Sequence, residues 1–165
     1  MKKLYLIGGT MGVGKTTTCQ LMKTKLNNSV FLDGDWCWDM HPFQVTEETK
    51  EMVISNICYL LNNFLQCSVL DHVIFGWVMH EQMIIDTILA HLDTTNCQVY
   101  CISLVCDEQS LKDRHNNDIA EGSRTEEGVQ RSVERLPLYT ELNTIKIDVS
   151  NITPKQAADL IIQSC

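Results

Sequence analysis

Short apolar runs alternate along the chain with longer segments in which apolar residues recur every three or four positions. The runs predict strands at residues 3–7, 29–32, 73–77, 98–105 and 144–149. The periodic segments predict helices at residues 15–26, 46–65, 81–91, 109–115, 125–136 and 154–163. Strands that alternate with helices predict an α/β fold, in which helices cover both faces of a parallel sheet. No repeat or linker divides the sequence, so we expect one domain over residues 1–165.

The first predicted strand runs directly into a glycine-rich segment with the spacing G-x-x-x-x-G-K-T. A strand before this motif and a helix after it are the context in which it binds nucleoside triphosphates. Glycines let successive N–H groups point at a phosphate, and the helix N-terminus adds partial positive charge. Lys15 can then reach the β- and γ-phosphates, and the Thr16 hydroxyl can hold Mg²⁺. The predicted nucleotide-binding residues here are Gly9, Thr10, Met11, Gly12, Val13, Gly14, Lys15, Thr16 and Thr17.

The second predicted strand ends in Asp33-Gly34-Asp35. Ligands of parallel α/β sheets gather at the carboxyl ends of the strands, so two carboxylates are expected beside the bound metal. One of them can hold Mg²⁺, directly or through water, and the other can accept the proton of an attacking hydroxyl. The alternative is an acidic turn that is stabilised by its own backbone hydrogen bonds.

The composition limits the possible partners and the compartment. A net charge of −8 without a basic stripe argues against nucleic acid as a partner. The eight cysteines form no C-x-x-C pair, and the first apolar run reads as a strand rather than a secretory leader. These features predict reduced thiols and a cytoplasmic protein. No apolar run of about 18 residues is present, so no membrane span is expected.

The phosphate loop followed by a strand and Asp-Gly-Asp resembles the small-molecule kinases related to shikimate, gluconate and adenylylsulfate kinases. Residues 135–139, Arg-Leu-Pro-Leu-Tyr, resemble the R-x-P-L-Y segment of shikimate kinases, and residues 145–151 resemble the last strand and adenine-facing loop of the group. The similarity extends in order over nearly the whole chain. It implies a three-layer P-loop NTPase fold with strand order 2-3-1-4-5, a small lid at residues 116–124, and ATP with Mg²⁺ as cofactors.

The resemblance also assigns roles to individual residues. It implies that Asp33 is the carboxylate on the metal side and that Asp35 binds the acceptor or accepts its proton. It implies that Arg114 packs on the adenine, next to Ser150 and Asn151, and that the lid residue Arg124 closes on the transferred phosphoryl group. Arg131 and Arg135 are further candidates for clamping that group or the acceptor, although each is also consistent with a solvated helix face. Loop-forming residues such as Asn116 and Gly122 favour a lid, whose closure would exclude water from the reaction.

Two features depart from that kinase pattern. The third predicted strand carries no acid at its end, which leaves Thr16 and Asp33 for the metal. Between Lys15 and Arg114 the only cations are lysines, whereas anionic acceptors usually recruit arginine. The residues that are expected to face the acceptor are instead rich in aromatic and sulfur-containing side chains, which suit a flat or partly apolar ligand. The alternative is that these side chains simply pack in the core. The predicted acceptor-binding residues are Asp35, Trp36, Trp38, Trp77, His80, Arg131 and Arg135.

Together these features predict an ATP-dependent kinase that transfers the γ-phosphoryl group to a hydroxyl of a small neutral or cationic molecule. Lys15, Asp35, Arg124 and Arg135 are its predicted catalytic residues. Two alternatives stay open: a nucleoside or nucleotide kinase, and a non-catalytic module that reports its nucleotide state to a partner. The expected partner is a small hydroxyl acceptor, with no nucleic acid and no membrane, and the chain is expected to be a monomer or homodimer.

Overall fold

Five parallel strands form a single sheet in this computed structural model, which describes residues 1–120 and 125–165. The strands are β1 (Lys2–Gly8), β2 (Ser29–Asp33), β3 (His72–Gly76), β4 (Cys97–Val105) and β5 (Ile145–Asp148). Their order is β2-β3-β1-β4-β5, and all four pairings are parallel. The predicted α/β fold and the strand order 2-3-1-4-5 are therefore confirmed.

Six helices are described, together with two short 3-10 helices at Gly34–Trp38 and Leu136–Thr140. The helices are α1 (Lys15–Lys25), α2 (Glu47–Gln66), α3 (Gln82–Ala90), α4 (Glu108–Ala120), α5 (Glu126–Arg135) and α6 (Pro154–Ser164). One predicted boundary is wrong: α4 continues five residues beyond position 115, so residues 116–120 are helical and not part of a loop. The rest of the predicted lid, including Arg124, lies outside the described residues.

The sheet is covered by helices on both faces because side chains of each strand point alternately to the two sides. In β1, Leu4 and Leu6 belong to one core cluster, whereas Tyr5 and Ile7 belong to the other. The first cluster packs beneath α2 and α3, and the second beneath α1 and α6. All eight cysteines are free. None of the helices in the described ranges is long and apolar enough to cross a membrane.

Strand register places the chemistry-bearing residues at one edge of the sheet. Asp33 at the end of β2 pairs with Gly76 at the end of β3, and Gly76 pairs with Ile7 in β1. The glycine-rich segment leaves β1 at this edge, two residues after Ile7. The carboxyl ends of β1, β2 and β3 therefore meet where α/β proteins bind their ligands.

Candidate active site

The glycine-rich segment forms the loop that connects β1 to the N-terminus of α1. Gly12 and Gly14 have φ angles of 86° and 102°, a left-handed conformation that side-chain-bearing residues rarely adopt. Threonine side chains cap the N-termini of α2, α5 and α6, but no side chain caps α1 and its first turn carries no acid. The N–H groups of this helix end point toward the loop without a side-chain cap, which suits an anion such as a phosphate.

Lys15 makes a hydrogen bond within this loop, and Thr16 connects the start of α1 to β2. The Lys15 ammonium donates to the Thr10 carbonyl at 2.9 Å. The Thr16 hydroxyl donates to Asp33 Oδ2, also at 2.9 Å, and Asp33 Oδ1 accepts from the backbone N–H of Asp35 at 3.1 Å. A hydroxyl oxygen and a buried carboxylate in contact are ligands that Mg²⁺ prefers, so this pair fits the metal that accompanies a nucleoside triphosphate.

A cleft of about 500 Å³ opens beside the loop. Its wall is formed by Met11, Gly12, Gly14, Lys15, Thr16, Thr17, Asp33, Asp35, Trp77, Val78, Arg114, Ile152 and Pro154. The structure thereby brings the phosphate loop, both aspartates and Arg114 around one space. Gly9, Thr10 and Val13 are buried behind it.

Asp35 occupies the part of the cleft next to Trp77. Burial is the main cause that raises the pKa of the Asp35 carboxyl, and the nearby Asp33 charge raises it further. Lys15 and a hydrogen bond from the Trp77 side chain act in the opposite direction. A carboxylate whose pKa lies above its usual range is suited to accept a proton near neutral pH.

Gly34, between the two aspartates, is required by the packing of Trp77. A Cβ atom at this position would lie 2.4 Å from Trp77 Cγ and 2.8 Å from its Cβ, both far below contact distance. We predict that Gly34→Ala displaces Trp77 or the Asp-Gly-Asp turn and lowers the free energy of unfolding by about 1–3 kcal/mol, as measured by urea denaturation. The double variant with Trp77→Ala restores the space, so it should lose less stability than the sum of the two single changes.

Arg114 binds main-chain groups of the phosphate loop and of the residue that follows β5. Its guanidinium donates to the Val13 carbonyl at 2.7 Å and also to the Val149 carbonyl. Of the predicted adenine-side residues, Ser150 instead holds the start of α4, since its hydroxyl accepts from the Asp107 N–H at 2.9 Å. Ile152 and Pro154, which follow Ser150 and Asn151 in the sequence, line the cleft, whereas Ser150 and Asn151 are not among its described lining residues.

The predicted aromatic acceptor site divides into two parts. Trp38 packs against Trp77 and Phe43, with ring centroids 6.5 Å and 5.2 Å apart. Trp36 is 57% exposed and packs against Phe31, in the core cluster on the α1 face of the sheet. The structure therefore brings Trp38 and Trp77 together near Asp35 and leaves Trp36 on the other side.

His80 lies in the loop that follows β3, where the charge of Arg135 acts on it. Burial lowers the pKa of His80, and the Arg135 charge lowers it further, against the influence of Glu81, whose carboxylate is 3.3 Å from Nε2. Arg135 is half-buried and Arg131 is exposed, and in the described part of the chain neither forms an ion pair. Their guanidinium groups are thus available to an anion.

Two contacts behind the phosphate loop are not predicted by the sequence. The His115 ring is fully buried against the loop, and a Cβ atom on Gly12 would lie 2.5 Å from its Cε1. The Tyr139 hydroxyl donates at 2.6 Å to the Val78 carbonyl, which also accepts from the Gly9 N–H. Tyr139 belongs to the motif quoted above, but His115 stands at the end of a predicted helix with no signal that it meets the loop.

Comparison with known proteins agrees with this geometry. A family model described as AAA domain matches residues 6–135, while none of the curated proteins matches the chain. Among solved structures, a tunicamycin resistance protein of Deinococcus radiodurans aligns with 16% identity and a TM-score of 0.73, covering 99% of this chain and 95% of its own. A gluconokinase of Sinorhizobium meliloti 1021 aligns with 16% identity and a TM-score of 0.68, covering 99% and 98%.

A third solved structure contains bound ligands. The APS kinase of Mycobacterium tuberculosis in complex with AMPPNP and APS aligns with 10% identity and a TM-score of 0.66, covering 98% of this chain and 96% of its own. At such identities the likeness concerns the fold, which is that of P-loop kinases.

Proposed function

Since the chain belongs to the AAA domain family, we propose that it is an ATP-dependent phosphotransferase that acts on a hydroxyl of a small neutral or cationic molecule. The observation that carries the proposal is the hydrogen bond from Thr16 to Asp33 at the mouth of the phosphate loop, with Asp35 next in the same turn. A nucleotide-binding module requires only the first pair. The second carboxylate at the cleft gives the site a base for an incoming hydroxyl.

Each part of the cleft has a distinct task in this reaction. Mg²⁺-ATP, when bound, supplies the γ-phosphoryl group and a divalent charge that offsets the phosphate oxygens. The loop amides and Lys15 orient the phosphates, and Thr16 with Asp33 would hold the metal. The Asp35 carboxylate accepts the proton of the acceptor hydroxyl. Arg131 and Arg135 on α5, with Arg124, would clamp the transferred group.

The acceptor side supports a neutral or cationic acceptor. Among the residues between Lys15 and Arg114 the cations are Lys23, Lys25, Lys50 and Lys112, and all but Lys23 already pair with carboxylates. Asp35 and Trp77 line the cleft instead, and Trp38 packs against Trp77. Aromatic faces and a carboxylate attract apolar rings, hydroxyls and cations, whereas an anionic acceptor would meet charge repulsion there.

We expect neutral or cationic hydroxyl compounds to be phosphorylated well ahead of AMP, CMP, UMP, gluconate and shikimate. A charge-assisted hydrogen bond that an anion lacks here contributes about 1.5–3 kcal/mol, which is at least tenfold in affinity. The assay is ADP release at fixed ATP and Mg²⁺ over a panel of nucleosides, sugars and aminoglycosides. The panel also includes tunicamycin, after the name of the Deinococcus protein.

The same panel separates the proposal from its alternatives. Efficient turnover of a nucleoside monophosphate would contradict a neutral or cationic acceptor and indicate a nucleotide kinase, with the α5 arginines binding the acceptor phosphate. ATP binding without transfer to any compound would indicate a non-catalytic nucleotide-binding module. A matched series of one scaffold with neutral, amino and carboxyl substituents serves as the internal control for charge.

A further inference from the structure

A buried hydrogen bond joins the phosphate loop to α5. The Thr10 hydroxyl donates to the Ser132 carbonyl at 2.7 Å, and both residues are almost fully buried, at 0% and 2% exposure. Within α5 the N–H of Leu136 donates to Val133 rather than to Ser132, so the last turn tightens and the Ser132 carbonyl is available to the threonine. The contact spans 122 positions of sequence.

Thr10 is also in contact with the phosphate-binding lysine. Its carbonyl accepts from the Lys15 ammonium at 2.9 Å and from the Val13 N–H at 3.3 Å. One residue therefore contacts the side chain that reaches the phosphates and the helix that carries Arg131 and Arg135. The neighbouring α4 binds the same loop independently, because the Arg114 guanidinium donates a hydrogen bond to the Val13 carbonyl.

We propose that Thr10 is a positioning residue, whose hydroxyl fixes α5 and its arginines relative to the bound phosphates. The proposal rests on the proposed function, because it concerns the arginines that clamp the transferred group. Arginine side chains that act in the transition state must be held accurately, and a displacement of about 1 Å can cost up to about a hundredfold in rate. A carbonyl of the helix backbone is a rigid anchor for this purpose, since it moves only with the helix.

The proposal differs from a purely structural role in what it predicts for kinetics. Loss of packing would lower stability and affect all parameters together. Loss of position would lower kcat, because the arginines act on the transferring group, and would leave the KM for ATP nearly unchanged. Thr10→Val removes the hydroxyl and keeps the shape, and Thr10→Ser restores the hydroxyl. Thr24→Val is the matched control, because the Thr24 hydroxyl donates to the Leu21 carbonyl at an exposed site.

Hydrogen exchange of the full chain, with and without Mg²⁺ and the ATP analogue AMPPNP, tests the link without a need for turnover. In the wild type, Thr10→Ser and Thr24→Val, we expect the analogue to slow exchange in α1 and in α5. In Thr10→Val the α1 amides should remain protected, whereas the α5 amides should lose about tenfold of their protection, the order of one hydrogen bond. Equal protection of α5 in Thr10→Val and wild type would overturn the proposal.

The kinetic measurement uses ADP release with the best acceptor of the panel. Thr10→Val should lower kcat about 10- to 100-fold with the KM for ATP within about threefold, and Thr10→Ser should stay within about threefold of the wild type. A serine variant as impaired as the valine variant would overturn the proposal. If the analogue protects α5 through Thr10 but no compound is phosphorylated, the positioning link stands and the transferase function fails. If it protects neither helix, both fail.

Discussion

Lys15→Ala is expected to abolish phosphoryl transfer and to weaken ATP binding at least tenfold while the fold remains intact. Lys15 is the lysine at the phosphate loop, and its ammonium lies on the Thr10 carbonyl, within the loop that would surround the phosphates. A hydrogen bond between two charged groups contributes about 1.5–3 kcal/mol, and most of it would act on the β- and γ-phosphates. Isothermal calorimetry with Mg²⁺-ATP measures the affinity, and ADP release measures the transfer.

Lys23→Ala is the matched control for that experiment. Lys23 lies in the last turn of the same helix, about two turns away from the cleft, so its removal should leave both quantities unchanged. Circular dichroism and thermal unfolding of both variants establish that the fold is retained. Wild-type affinity in Lys15→Ala would contradict the assignment of residues 9–16 as the phosphate loop.

The sequence predicts the phosphate loop and the sheet because both are encoded locally. Glycine spacing, the Lys-Thr pair and the flanking apolar run lie within 16 residues, and the alternation of strands and helices restricts the topology. The contacts that hold the loop from behind are different. Two of these contacts, Thr10 with Ser132 and Gly12 with His115, link positions more than 100 residues apart in the sequence. No local sequence pattern predicts such pairs.

One predicted helix boundary is wrong, and one predicted cluster of side chains divides into two parts, each for a physical reason. Asn116, Asn117 and Asp118 have low helix propensity, but α4 continues through them to Ala120, because propensity is a weak preference. Trp36 and Trp38 are both predicted to bind the acceptor, and they lie two residues apart in a 3-10 helix. Each residue of such a helix turns by about 120°, so the two rings face different sides.

Asp35→Asn is expected to lower kcat by roughly 10² to 10⁴ and to leave ATP binding unchanged. The substitution keeps the shape of the side chain and removes the carboxylate that accepts the proton of the acceptor hydroxyl. Asp33→Asn should act differently, since Asp33 accepts from Thr16 at the expected metal position. It should raise the Mg²⁺ concentration needed for half-maximal rate. Titration of Mg²⁺ at saturating ATP and acceptor separates the two effects.

The pH dependence of transfer gives the sharper test of these roles. Asp35 must be ionised to act as a base. Its pKa is raised mainly by burial and further by the Asp33 charge. The activity should therefore decline with falling pH already above the pH range in which carboxyl groups usually titrate. Neutralising Asp33 removes one of the causes that raise this pKa. In Asp33→Asn the fall of the transfer rate at low pH, the acid limb of the pH profile, should therefore shift to lower pH. In Asp35→Asn this limb should be absent. If both variants lose only Mg²⁺ affinity and keep the wild-type limb, Asp35 is not the base and positioning alone drives the transfer.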